Sequence, residues 1–411
     1  MKKRFIFFRG LIRTLDLYTD EFVKIFAEQD MECLVLNVLQ IEEEMIKLKA
    51  FLLNPVCAAI SFNNIGLHLE FEDGQNIWDQ FRIAFYNILM DHPFHYKPAL
   101  DRAPEQMILL CMDRNHVEYT KRFFPRIRRV EFFPHAGIER SVPLFQDAGT
   151  GQNDSGQQIP LSERPIDVLY AGGLSRYAAE GLIPDLGSIR EFDAFALVKH
   201  ALEMLIQNPA LTTESVVESC LKEMHVEFQD EKLGAVISEL RFLDSLAVSF
   251  YREQVIRTLA GNGVTVTVFG EGWDRCEWES EHVVYGGVIP PGQILELMHQ
   301  SRIVLNTMTW FKRGAHDRIF NGMLAGAAVV SDSSEYLLEQ FTDGKQISIF
   351  SLGDLNGMAE TVKELLSDGK SAQRMADCGY QEASRHHRWI NRLREVDGLL
   401  MENGYGENDG V

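Results

Sequence analysis

Short apolar runs separated by polar loops recur along most of the chain. Runs at 5–8, 33–38 and 56–62 predict strands. The stretch 41–53, with acids, lysines and spaced apolar positions, predicts a helix between two of them. Runs at 84–90, 107–112 and 130–133 predict three more strands. Segments that are apolar throughout, rather than alternating, suit parallel strands covered on both faces. Several end on polar residues: Asn63 and Asn64, then Asp91-His92-Pro93, then Asp113-Arg114-Asn115-His116, then Pro134-His135.

The pattern breaks at 146–165, which is polar and rich in Gly, Ser, Asn and Gln. This predicts a first domain over 1–150, a linker over 151–165 and a second domain over 166–381. The second opens on an apolar run at 166–170 followed by Ala171-Gly172-Gly173. A glycine pair there lets a backbone approach phosphate or a facing domain, and is equally an ordinary turn. Residues 189–260 are helical in pattern and predict an insertion that packs or meets a protein partner. The α/β order resumes at 264–269, running into Gly270-Glu271-Gly272-Trp273, and again at 283–285. That G-x-G lacks the third glycine of a dinucleotide fingerprint. Residues 382–411 predict an amphipathic helix and a disordered tail.

The stretch 302–332 carries the most chemistry. A strand at 303–305 ends at Asn306, a loop brings Lys312, Arg313 and His316, and Asp317 can cap a helix with Ile319, Phe320, Met323 and Leu324 on its apolar face. Arg318 falls in the first helical turn, where the dipole disfavours a cation. A bound phosphate would reverse that penalty; an acidic neighbour would offset it too.

At 411 residues the chain is long enough for two domains. Its net charge of -20 opposes general binding to nucleic acid or an anionic membrane, so a local basic cluster stands out. Six scattered cysteines without a CxxC pair predict free thiols rather than a disulfide frame or a zinc site. The basic N-terminus lacks a long apolar stretch and a cleavage site. No run is long enough to cross a bilayer, so a cytoplasmic protein is expected.

The ordered set VLYAGG, FGEGW, VVYGGVIPPGQILELMHQSRIVLN, AHDRIFNGMLAGAAVVSD and HHRWINR resembles the donor half of GT-B glycosyltransferases, group-one and especially the CgeB-like, spore-maturation type. SFNNIG, MDHPFHY, CMDRNHVEY and FFPHAG extend the resemblance, more loosely, into the first half. It implies an α/β fold of two Rossmann-like domains facing across a cleft. The second would hold a nucleotide-sugar donor, a UDP-sugar first among them. The first would hold a saccharide, protein or cell-surface acceptor, and the C-terminal helix would cross back to it. Transfer would be metal-independent, with no tightly bound cofactor. A sugar-nucleotide 2-epimerase and a non-catalytic binding subunit are the alternatives.

The resemblance assigns Arg318, helped by Lys312, to the leaving diphosphate. Gly172, Gly173 and Gly270 would line it, and His316 would bond a phosphate or sugar hydroxyl or hold the loop. Asn306 would touch base or ribose or merely end its strand. Trp273 would stack on a base or sugar or lie in the core. Asp91 and His92 are the expected acceptor-side bases, although Asp-His-Pro is also good turn chemistry. One departure stands out: aligned on Gly326, the E-x7-E pattern of many group-one enzymes falls on Arg313 and Asn321. Asn321 can still accept a bond from a ribose hydroxyl, as a neutral amide.

Overall fold

The computed structural model describes residues 2–72, 74–139, 159–174, 176 and 180–396. Most of the linker and the residues from 397 onward, where the disordered tail is expected, lie outside them.

Two six-stranded parallel sheets carry the fold. The first holds β1 (Arg4–Arg9), β2 (Glu32–Asn37), β3 (Ala58–Phe62), β4 (Ala84–Leu89), β5 (Met107–Cys111) and β6 (Arg129–Phe132), in the order β2-β1-β3-β4-β5-β6. The second holds β7 (Ile166–Ala171), β8 (Val266–Phe269), β9 (Val283–Tyr285), β10 (Ser301–Asn306), β11 (Ala328–Asp332) and β12 (Ser348–Phe350), in the order β12-β11-β10-β7-β8-β9. β3 and β11 are buried at every position, which is why they read as unbroken apolar runs. In the second sheet the strand order reverses between β7 and β10. Ligands of doubly wound sheets sit outside the carboxyl ends of strands at such a point.

The segment expected as one insertion divides in two. Helix Phe242–Gly261 packs against β8 and helix Leu355–Ser367, so it is the crossover between β7 and β8. Helices Ala194–Gln207, Thr213–Glu223 and Asp230–Glu239 are the true addition. They reach the first domain: Ser238 Oγ donates to the Phe94 carbonyl at 2.8 Å, and Arg122 pairs with Glu218 and Asp230, both at 2.8 Å.

Residues 387–396 cross back to the first domain. Helix Gly369–His386 stops at His387, and a short helix, Trp389–Glu395, follows. Trp389 is fully buried against Tyr18, Phe22 and Phe133. Arg392 donates to the Tyr336 hydroxyl at 2.9 Å and to the Pro134 carbonyl at 3.2 Å. His387 stacks on Phe320 and fixes this crossing. All six cysteines are free, and two of them are buried. Among the described residues no helix is long and apolar enough to cross a membrane.

Candidate active site

The site forms where β7 and β10 end side by side. Beyond β10 the chain loops to helix Asp317–Leu324, whose buried face includes Ile319, Phe320, Met323 and Leu324 as the spacing predicts. Its N-cap is His316 rather than Asp317, because the Asp317 carboxylate is drawn elsewhere. Asp317 Oδ2 accepts from the Tyr18 hydroxyl of the first domain at 2.5 Å and from Asn321 Nδ2 at 3.0 Å. Its Oδ1 lies 2.7 Å from His316 Nδ1.

Arg318 is 5% exposed. Its Nη1 donates to Asn306 Oδ1 at 2.5 Å, and its guanidinium lies 5.3 Å from the centre of the Tyr170 ring. No carboxylate forms an ion pair with it among the described residues. Burial, with Arg252 acting in the same direction, lowers its pKa, but a guanidinium keeps its charge in a protein. A buried charge without a counter-ion is costly, and a bound anion removes that cost. Gly172 keeps the space beside it open, since a Cβ there would stand 3.1 Å from Arg318 Nη2. Gly270 has φ +132°, and a Cβ on it would stand 2.6 Å from the Gly173 nitrogen. Only glycine suits that close crossing of the β7 and β8 turns.

Around Arg318 lies an open cleft of about 280 Å³. Gly172, Gly270, Ile289, Leu295, His316 and Asn321 line it from the second domain, and Thr14, Leu17 and Tyr18 from the first. Asn306 and Trp273 are not on its wall. Asn306 is fully buried and bonds Ser331 Oγ as well as Arg318, so it aims the guanidinium instead of reading a base. Trp273 lies in the core with its indole N–H donated to the Gly172 carbonyl at 2.8 Å, which rules out stacking on a base. Asn321 faces the cleft, but its Oδ1 already accepts from the Ile138 amide at 2.9 Å. Lys312 is not on the wall of this cleft either. It donates to the Pro209 carbonyl and lines an inner cavity with Glu214 and Asp244.

A second hollow is lined by Asp91, His92, His95, Tyr96, Arg252 and Trp310. Asp91 Oδ2 accepts from the Tyr96 hydroxyl at 2.7 Å and from Asn63 at 3.1 Å. His92 is turned inward: Nδ1 accepts from the Phe94 amide at 3.2 Å, and Nε2 lies 3.6 Å from Glu214. Both of its nitrogens are therefore directed at the protein.

Arg252, Tyr18 and Asp317 had no assigned ligand role in the sequence. Arg252 lies 4.8 Å from the centre of the Trp310 ring and donates to the Gly173 carbonyl, with no carboxylate partner among the described residues. The sequence signal was a cation within an apolar stretch of helix.

A family model described as glycosyl transferase-like matches residues 252–398. No curated protein sequence matches the chain. Among solved structures, an alpha-glucosyltransferase in complex with UDP and a DNA 13-mer is similar at a TM-score of 0.51 and 12% identity, over 96% of this chain and 98% of that one. HepE of Anabaena, in complex with UDP and glucose, is similar at 0.43 and 12%, over 95% and 97%. TarM is similar at 0.39 and 9%, over 76% of this chain and 53% of that one, so the chain spans about half of TarM. These findings define the fold as the GT-B architecture, two Rossmann-like domains facing across a cleft with a helical insertion in the second, and residues 252–398 are similar to the glycosyl transferase-like model.

Proposed function

We propose that the chain transfers a sugar from a nucleotide-sugar donor, a UDP-sugar first among them, to a hydroxyl acceptor, and that the finer kinship is with the CgeB-like group. The observation that carries the reading is Arg318, a buried, unpaired guanidinium at the strand-order reversal. Its charge would meet the donor diphosphate and stabilise the negative charge that grows there as the glycosidic bond breaks. Arg252 would bind the same diphosphate from the Gly173 side. The apolar wall at Ile289 and Leu295 would face the nucleoside. Two guanidiniums would do the work of a metal ion, so the transfer is metal-independent. Asp91, oriented by Tyr96 and Asn63, would bind the acceptor hydroxyl. UDP is the first nucleotide to test, because the alpha-glucosyltransferase of like fold is bound to it. Net charge -20 favours a saccharide or protein acceptor over a nucleic acid.

The test is thermal shift with UDP and UDP-glucose, followed by release of UDP, on the wild type and Arg318→Ala. A ligand that binds only the folded state raises its melting temperature. Wild type should shift. The variant should lose the shift and about 10²–10³-fold of turnover while melting no lower, since it sheds a buried unpaired charge. Undiminished UDP release by the variant would remove Arg318 from the mechanism.

A further inference from the structure

We propose that the chain associates with a second copy of itself through helix Ile41–Phe51 of the first domain, the two helices packing antiparallel about a two-fold axis at Ile46. No residue of this helix lines the cleft, so the inference stands apart from the transfer reading.

The helix lies against β2, the edge strand of the first sheet. It turns Glu44, Leu48 and Phe51 inward. Its outer side is not simply polar. Ile46 is 73% exposed, Leu39 in the short turn before the helix 68%, and Leu53 just after it 83%. They stand seven residues apart, about two helical turns, which is the spacing of a single stripe. Ala50, also exposed, falls on the stripe between Ile46 and Leu53, where a small side chain admits a second helix. Single apolar residues on a surface are ordinary, whereas a row of them marks a face that another surface covers.

The charges beside the stripe say what covers it. Glu42 and Glu43 lie in the first turn, Lys47 and Lys49 towards the last. The helix dipole favours that order by itself, but it gives no reason for the exposed aliphatic row between them. At 100° per residue, Glu42 and Lys49 fall on one flank, Glu43 and Lys47 on the other. An antiparallel copy brings like flanks together. Ile46 then meets the partner's Ile46, Leu39 the partner's Leu53, and Glu42 the partner's Lys49. The two-fold axis makes each unlike contact twice. A parallel copy would set glutamate against glutamate. Lys47 already pairs with Glu44 at 2.7 Å, but Lys49 reaches Glu72 only at 4.0 Å, and Glu42 forms no ion pair among the described residues. The Glu42–Lys49 contact is therefore the one left to form. Beyond Lys49 the apolar surface continues. Its Nζ lies 5.6 Å from the centre of the Phe71 ring, Phe71 meets Phe81 at 5.9 Å, and Phe81 is 43% exposed. This widens the contact past one helix, as a specific dimer requires. The net charge of -20 opposes an anionic bilayer on the same face.

The test is sedimentation velocity on the full chain from about 1 to 100 µM, at low and at physiological salt, beside thermal melting. A species of twice the chain mass should grow with concentration and recede with salt. Ile46→Glu sets two carboxylates face to face at the axis. It should weaken association by about 10²-fold or more and leave melting unchanged, because the side chain is exposed. Glu42→Lys and Lys49→Glu should each weaken self-association by about tenfold, since each turns two attractive contacts into repulsive ones. Mixed in equal amounts, these two variants should associate as the wild type does, because every flank contact is again between unlike charges. A wild type that stays monomeric up to about 100 µM would overturn the proposal. So would a dimer that Ile46→Glu leaves intact, or a mixture of the two charge variants that associates no better than either alone. The charge variants decide by themselves if Ile46→Glu does not fold.

Discussion

At the scale of single residues, burial makes two charged groups unfavourable: Arg318 in the cleft, and Asp332 at the end of β11, outside the cleft wall. Asp332 is 2% exposed, and its Oδ1 accepts from the Met308 amide at 2.8 Å. Burial raises its pKa to about 7, with the Met308 hydrogen bond and Lys312 pulling the other way. The ordinary value is 3.8, so between these two values the folded chain holds a proton that the unfolded chain has lost. Stability therefore falls as pH rises through that window and stays lowered above it. Asp332→Asn keeps an oxygen for the Met308 amide and removes the charge. It should melt a few degrees above the wild type at pH 8.5, with the gap closing towards pH 4. Equal melting temperatures across that range would mean that Asp332 stays ionised in the fold, compensated by Lys312.

At the scale of elements, what could be read from the sequence followed the physics of burial. Strands covered on both faces leave unbroken apolar runs, so β3, β5, β7 and β10 were legible, as was the helix after Asn306. Helix Phe242–Gly261 was not recognised as a crossover. It is buried on many sides and shows no single apolar stripe, so it merged with the helices before it, and Arg252 was hidden with it. The cap of helix Asp317–Leu324 was misread for a different reason. Asp is the better N-cap by local preference, but Tyr18, 299 residues away in the chain, takes its carboxylate. Of the residues expected at the diphosphate, Arg318 and Gly172 share the cleft, whereas Lys312 lines an inner cavity. The added helices supply a prediction of their own. A Cβ on Gly234 would stand 2.9 Å from the Phe123 ring of the first domain, so Gly234→Val wedges helix Asp230–Glu239 outward. Amide exchange over 194–239 should quicken while UDP-dependent protection at the 316–324 site persists. Unchanged exchange over 194–239 would show that the ring yields and that the close approach is not needed.

At the scale of the molecule, the two domains are joined by more than a cleft. The added helices bind the first domain on one side, and the Trp389 segment crosses to it on another. Tyr18 links the two uses of this contact, because its ring meets Trp389 at 5.4 Å while its hydroxyl meets Asp317. The crossing segment thus packs against a residue that lines the cleft and bonds the helix carrying Arg318. Trp389→Ala removes the largest side chain of this seam and should destabilise the fold by about 3–5 kcal/mol. The loss falls on the contact between domains rather than within either sheet, so denaturant unfolding should separate into two transitions. UDP binds mainly the second domain in the proposed reading. It should therefore raise the midpoint of one transition and leave the other in place. A single transition, shifted as a whole by UDP, would show that the added helices alone keep the domains coupled, and that Trp389 stabilises the first domain without joining it to the second.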